Sequence, residues 1–271
     1  LKAMADILEQ IVAHKRMELR EMKRRLPLER LRQMVERRLA GQGGEGNPVS
    51  MRAALMASPT GIIAEFKRKS PSRGWIQAGA RPAETALEYQ RNGASALSVL
   101  TDQAYFGGCP EHIAQVRQAG VTLPILYKNF VIDPYQLLVA RLCGASAVLL
   151  IAACLGREEC AQLRKKAREL GLEVLLEMHD ERELDYADVL PDMYGVNNRH
   201  LGTFVTDVET SFRLAGLLPR GECLVSESGL RGPEVVGQLR RVGYRGFLIG
   251  ESFMSATRPG EALGGFIQSL P

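Results

Sequence analysis

Between residues 61 and 252 the chain alternates short, nearly unbroken apolar runs with longer, more polar stretches. The runs recur eight times: Gly61-IIAEFK, Ala96-LSVLTD, Pro124-ILYKNF, Ala147-VLLIAA, Glu173-VLLEMH, Met193-YGVNNR, Glu222-CLVSES and Gly246-FLIGES. A run that is apolar at nearly every position suits a strand buried on both faces of a parallel sheet. Each intervening stretch is long enough for a helix. Gly93, Gly120, Gly144, Gly171 and Gly243 fall a few residues before the next run, where glycine supplies the left-handed backbone that ends a helix. Eight such units without a break in rhythm predict an α/β fold, a closed (β/α)8 TIM barrel. An open doubly wound sheet usually has fewer strands and a glycine-rich loop after the first, which is absent here.

Ahead of the barrel, Leu8, Val12, Leu19, Met22 and Leu26 fall mostly on one helical face, with Ile7 and Ile11 beside them. Pro27 interrupts this pattern, and a second short one uses Leu31, Met34, Val35 and Leu39. Residues 41–48, GQGGEGNP, are too rich in glycine for regular structure and read as a connector. The organisation expected is therefore an N-terminal helical extension with its connector over residues 1–48, packed on a barrel domain over residues 49–271.

Composition adds little to this. At 271 residues and 45% hydrophobic, the chain has material for one large core. The net charge of +4 sits in residues 1–40, where Lys and Arg outnumber Asp and Glu. Interspersed acids and a lack of stacking aromatics make that segment a solvated helix face, not a nucleic-acid binder. Five cysteines, with no CxxC pair and no metal-ligand spacing, suit reduced thiols in a cytoplasmic protein. The charged N-terminus lacks a signal peptide's continuous apolar run, and no stretch reaches the ~18 apolar residues of a membrane span.

Candidate chemistry lies where the apolar runs stop, because in a barrel the C-terminal strand ends form the active-site face. There stand Glu65 and Lys67, Thr101 and Asp102, Lys128, Glu177 and His179, Asn197 and Arg199, Glu227 and Ser228, and Gly250 and Glu251. Carboxylates inside apolar runs, such as Glu65 and Glu177, are costly unless they are paired or face a cavity. Lys128 fits a partly buried lysine of reduced basicity, acting as general acid or Schiff-base nucleophile. Lys67, among Arg68, Lys69 and Arg73, suits an anion. Ser226-Glu-Ser-Gly229 and Leu248-Ile-Gly-Glu-Ser252, on the last two strands, place small residues where a barrel binds phosphate, and a short extra helix is expected from Ser252. Ser70, Ser72 and Trp75 lie in the loop after the first strand, with a lid as one reading. His14, His112, His179 and His200 are read as structural or exposed, with His179 facing away from Glu177, and no metal is expected.

Taken in order, these segments resemble indole-3-glycerol phosphate synthase. The resemblance is carried by Ile63-AEFKRKSPSRG, Leu97-SVLTDQAYFGG, Pro124-ILYKNFVID, Leu175-LEMHDERE, Gly195-VNNRHLGTF, Leu224-VSESG and Phe247-LIGESFM, and it runs from the Ile7-LEQIVAHKR helix nearly to the C-terminus. It implies a carboxy-lyase of tryptophan biosynthesis that needs no cofactor. Its substrate would be a small phosphorylated molecule, with no nucleic-acid or membrane partner, and the protein would be a monomer or weak homo-oligomer. The matching positions make Lys128 the general acid, Glu177 the second catalytic group and Glu65 the carboxylate that supports the lysine and the developing positive charge on the anilino nitrogen. Asn197 and Arg199 match the residues that hold the anthranilate part. Lys67, Ser228, Gly229, Gly250 and the Glu251 backbone match the phosphate cradle, and Ser70, Phe106, Phe130 and Glu227 match the remaining lining. Asn129 stands where the family more often has Asp, so either the pH optimum is shifted or the electrostatics of the lysine are left to Glu65. A sibling such as phosphoribosylanthranilate isomerase would use a Cys and Asp pair, and no cysteine here ends a strand in that role.

Overall fold

The computed structural model describes residues 2–40, 48–200 and 205–271. The expected connector at 41–48 lies outside these apart from Pro48, as does the 201–204 stretch of the Gly195 motif.

All eight predicted strands form: β1 (Ile62–Phe66), β2 (Ala96–Leu100), β3 (Ile125–Lys128), β4 (Ala147–Ile151), β5 (Glu173–Met178), β6 (Met193–Asn197), β7 (Leu224–Glu227) and β8 (Tyr244–Ile249). They pair in parallel with sequential neighbours, and β1 closes on β8 through Ile62 opposite Phe247 and Ala64 opposite Ile249. Closure explains the unbroken apolar runs. One strand face packs inside the barrel, where Ile63, Leu126, Leu149, Leu175, Val225 and Leu248 belong to one cluster. The other packs under the surrounding helices, as Ile62, Val99, Val148 and Phe247 do. The five helix-ending glycines all have positive φ, and Gly144 is the left-handed cap of the helix Pro134–Cys143.

Two connections differ from expectation. The β5–β6 link is a 3-10 helix, Glu181–Val189, instead of an α-helix. Its first turn is fixed by the Asp180 carboxylate, which accepts from the Arg182 amide, and by Glu183 turning back onto the His179 amide. The loop after β1 contains a small antiparallel hairpin pairing Lys69 with Trp75 and Ser70 with Gly74.

The N-terminal patterns become α1 (Lys2–Arg25) and α2 (Leu28–Ala40), hinged at Pro27. Leu19, Leu31 and Val35 are buried against Tyr135 and Leu138 of the helix Pro134–Cys143, each worth about 2 kcal/mol. The Tyr135 hydroxyl donates to the Leu26 carbonyl at 2.9 Å, satisfying a carbonyl just past the end of α1. Ile11 joins the cluster that includes Phe130 and Ile151, so α1 lies across the mouth of the barrel. A further helix that the residue pattern did not reveal, α3 (Met51–Ala57), buries Met51 and Leu55 in the same cluster. The Glu173 carboxylate, at the start of β5, accepts from the amides of Met51 and Arg52 at 2.7 and 2.9 Å, where a helix N-terminus favours negative charge.

Candidate active site

Strand register brings the polar strand ends to one level. Leu100 pairs with Lys128, Ile151 with Glu177, Glu177 with Gly195, and Asn197 with Glu227. A cavity opens there. Its wall includes Glu65, Lys67, Ser70, Phe106, Lys128, Phe130, Glu177, Asn197, Arg199, Ser228, Gly229, Gly250 and Glu251. Of the residues that the family resemblance assigns to the site, Glu227 alone does not line it. It is fully buried behind Lys128.

The floor is a chain of alternating charges. Lys128 Nζ lies 2.8 Å from Glu227 Oε2 and 3.3 Å from Glu65 Oε2, and Lys67 Nζ lies 2.9 Å from Glu65 Oε1. Burial by itself raises the Glu65 carboxyl, but Lys67 and Lys128 outweigh it and bring it down to about 2. Burial acts to lower Lys128, and the charges of Glu227, Glu65 and Glu177 overcome it, holding the ammonium above the ordinary lysine value. This corrects the expectation of reduced basicity. Lys128 is an ammonium ion that can donate a proton to an oxygen; it is not an amine poised for Schiff-base attack. At Glu227, burial together with the Glu177 and Glu65 charges outweighs Lys128 and raises the carboxyl. Its Oε1 is buried and has no hydrogen-bond partner among the described residues.

Glu177 stands opposite, and its partner overturns another expectation. His179 does not face away: residues two apart share a strand face, and His179 Nε2 lies 3.2 Å from Glu177 Oε1. Burial acts to raise Glu177; His179, with Lys128 and Asn197, more than offsets it and leaves the carboxyl below its ordinary value. Of the other described histidines, His112 lies edge-on against Phe66, His14 lies beside Glu18, and His200 is exposed. No group of three or more His, Cys, Asp or Glu among the described residues is arranged to hold a metal.

At the rim, Ser228 and Gly229 both take left-handed backbone, with φ of 66° and 74°. They line the cavity beside Gly250 and Glu251, where the last two strands end. Gly250 precedes the short helix Glu251–Met254, which begins one residue earlier than expected. Gly250 has no room for a side chain, since a Cβ would come 2.5 Å from Glu65 Oε1. Arg199 reaches Ser72 Oγ at 3.2 Å and Glu251 at 3.5 Å, and Arg73 reaches Glu251 at 3.1 Å.

The family model for indole-3-glycerol phosphate synthase matches residues 8–264. A protein of that name from Bacteroides thetaiotaomicron is 52% identical over 267 residues, covering 98% of this chain and all of the relative. One from Polaromonas naphthalenivorans is 42% identical over 261 residues, covering 96% and 98% respectively. The chain belongs to the indole-3-glycerol phosphate synthase family. Among solved structures, 3-hexulose-6-phosphate synthase superposes with a TM-score of 0.60 at 10% identity, over 78% of this chain and 99% of its own. A chain of the tryptophan synthase complex from Pyrococcus furiosus does so with a TM-score of 0.59 at 13% identity, over 78% and 97%. Both likenesses speak for the barrel alone.

Several groups that shape this synthase-family site are not legible as site residues in the sequence. Asn198 is one. Its amide donates to Ser228 O at 3.0 Å and Ser226 Oγ at 3.1 Å, while its oxygen accepts from Ser211 N and Oγ at 3.1 and 2.8 Å. It thus holds Ser228 in its unusual conformation from behind. Lys15 is another: it reaches in from α1 to Asp102, a strand-end candidate that lines the cavity and caps the helix Gln103–Phe106. Asn129, where the family more often has Asp, donates to Thr101 Oγ1 at 2.9 Å and accepts from the Phe130 amide. The polar run VNNR was the signal that contained Asn198; its burial was not readable from it.

Proposed function

We propose that this chain closes the indole ring of 1-(2-carboxyphenylamino)-1-deoxyribulose 5-phosphate, releasing carbon dioxide and water to form indole-3-glycerol phosphate. The observation that carries this reading is the Lys128 ammonium, bracketed by the buried carboxylates of Glu65 and Glu227 on the floor of a cavity rimmed by Arg199 and by Ser228-Gly229.

Ring closure needs a proton delivered to the ribulose carbonyl oxygen, and Lys128 supplies it as general acid. Glu65, kept ionised by its two lysines, orients Lys128 and faces the positive charge that develops on the anilino nitrogen. Glu177 is the second acid–base group and serves the dehydration. The Arg199 guanidinium, with Asn197, takes the carboxylate of the anthranilate part before it is lost, and that carboxylate competes with Glu251 for Arg199. Phe106 and Phe130, whose rings lie 6.3 Å apart, give the aromatic ring an apolar wall. The amides around Ser228, Gly229, Gly250 and Glu251 take the phosphate with Lys67, and Ser70 completes the rim. Glu227 acts through Lys128, which it holds from behind.

The same reading makes residues 1–48 an extension serving the barrel of residues 49–271. It makes the protein a cytoplasmic enzyme, monomeric or weakly self-associating, working on a small molecule without nucleic acid. Five cysteines all free as thiols favour a reducing compartment. No described helix is long and apolar enough to cross a membrane.

The test is to mix protein and substrate with no metal or cofactor added and to follow indole fluorescence. A rising signal abolished by both Lys128→Ala and Glu177→Gln is the expected result. A flat trace from folded wild-type protein would overturn the assignment and leave the barrel standing.

A further inference from the structure

His179 sits just beyond β5, its side chain only 9% exposed, between two carboxylates. Nε2 is 3.2 Å from Glu177 Oε1, an ion-pair contact without hydrogen-bond alignment, and Nδ1 is 3.4 Å from Glu183 Oε2. The backbone amide of His179 donates to that same Glu183 oxygen at 2.6 Å, so the 3-10 helix after β5 is anchored to the imidazole it faces. A neutral imidazole carries one N–H and one lone pair. With a carboxylate oxygen beside each nitrogen, one tautomer or the other must set a lone pair against a carboxylate. The doubly protonated ring alone avoids this. Burial acts against the charged ring, but Glu177 and Glu183 outweigh it and raise His179 to about 10.

Neighbouring elements bring further groups to this pair. Asp180 follows His179 directly, and its carboxyl is held low chiefly by Arg182, with His179 contributing. Cys154, in the turn after β4, lies near both Glu177 and Glu183, and burial pushes its thiol up to about 12, so it stays neutral. Lys128 reaches Glu177 from β3, and Asn197 from β6. Lys128 is already shared between Glu227 and Glu65, and Lys67 is taken by Glu65. Glu177 therefore needs a cation of its own, and His179 is the one in contact with it.

We propose that His179 is a positioning residue for Glu177: an imidazolium clamped by Glu183 that keeps the Glu177 carboxylate ionised and aimed into the cavity, ready to accept a proton. The inference rests on the function proposed above for Glu177. The protonation of His179, however, is a property of the resting protein and is measured without substrate.

Two measurements test it. In full-length protein carrying 15N-labelled histidine, long-range proton–nitrogen spectra should show both His179 nitrogens protonated at pH 8.5, with the resonance assigned by its loss in His179→Asn. A neutral-tautomer pattern at that pH overturns the proposal. The second measurement is the pH profile of kcat/KM. If Glu177 must be ionised, removing its cation moves the acidic limb to higher pH. His179→Asn should then lose about tenfold in activity for each unit of displacement on that limb and regain it as the pH rises. Glu183→Gln should move the limb in the same direction, by less. A limb that stays in place, or a loss equal at every pH, overturns the proposal. A wild-type protein inert toward the substrate would sink the functional reading alone, since the nitrogen spectrum decides the imidazolium by itself.

Discussion

Lys15 of α1 and Asp102 at the end of β2 meet with Nζ 2.6 Å from Oδ2, and both side chains are buried. The other Asp102 oxygen accepts from the Tyr105 amide and starts the helix that carries Phe106. One ion pair thus ties the N-terminal extension to the apolar wall of the site. Removing one partner of such a pair strands the other charge. Lys15→Met should cost on the order of 3 kcal/mol of stability, read by urea denaturation, and should raise KM because Phe106 loses its anchor. As a control, Arg25→Ala breaks only exposed contacts to Glu21 and should leave the midpoint nearly unchanged.

Lys128→Ala should lower turnover by about 10²-fold or more, within the range for loss of a general acid. Lys128→Gln keeps some of the hydrogen bonding to Glu227 and Glu65 without a transferable proton, and it should be no better. Wild-type turnover in either variant would remove Lys128 from its role.

Asn198 separates binding from chemistry. Asn198→Ala removes the donor that holds Ser228 and should raise KM about tenfold with kcat little changed, the signature of lost uniform binding. Asn198→Asp retains an acceptor for Ser211 but loses the donor to Ser228, so its KM should rise similarly. A wild-type KM in Asn198→Asp would show that the Ser228 contact does not matter.

Glu65 links stability to pH. Its folded-state value of about 2 lies below the ordinary 4.5. A depressed carboxyl contributes stability that is fully present above pH 4.5 and disappears as the pH falls through about 2, amounting to on the order of 3 kcal/mol. The gap in stability between wild type and Glu65→Gln should therefore narrow as the pH is lowered from about 5 to about 2.5. Denaturant midpoints measured across that window check it, and a gap that stays constant would contradict the sign.

Gly250 is a steric case. A methyl group there meets Glu65 Oε1 at 2.5 Å and Glu65 Cβ at 2.9 Å. Gly250→Ala should push Glu65 off Lys128 and lower kcat about tenfold or more, as misplacement of about 1 Å does. Equal kcat in the variant would mean that Glu65 has room to yield.

The residues that were legible in advance share one property: they break a pattern. Glu65 and Glu177 stood out as carboxylates inside apolar runs, and Gly144 as glycine ahead of a strand, because burial on both faces leaves little room for anything else. Asn198 and Lys15 break no pattern. Polar residues at a strand end or on a charged helix are unremarkable until the chain that covers them is known. The α3 helix was missed for a related reason: Met51–Ala57 is too short for its periodicity to register.

What the sequence determined by itself was periodicity, and with it the eight strands, the barrel and the side of the barrel on which chemistry belongs. These follow from local patterns of burial, which each segment carries alone. Only the tertiary structure decided the charge states. Lys128 was expected to lose basicity on burial, and instead Glu65 and Glu227, arriving from β1 and β7, hold it protonated. His179 was read as facing away from Glu177, and the structure sets it beside that carboxylate with Glu183 behind it. Electrostatic energy depends on distances between groups remote along the chain, and at Lys128 and His179 close opposite charges outweigh the desolvation that burial imposes.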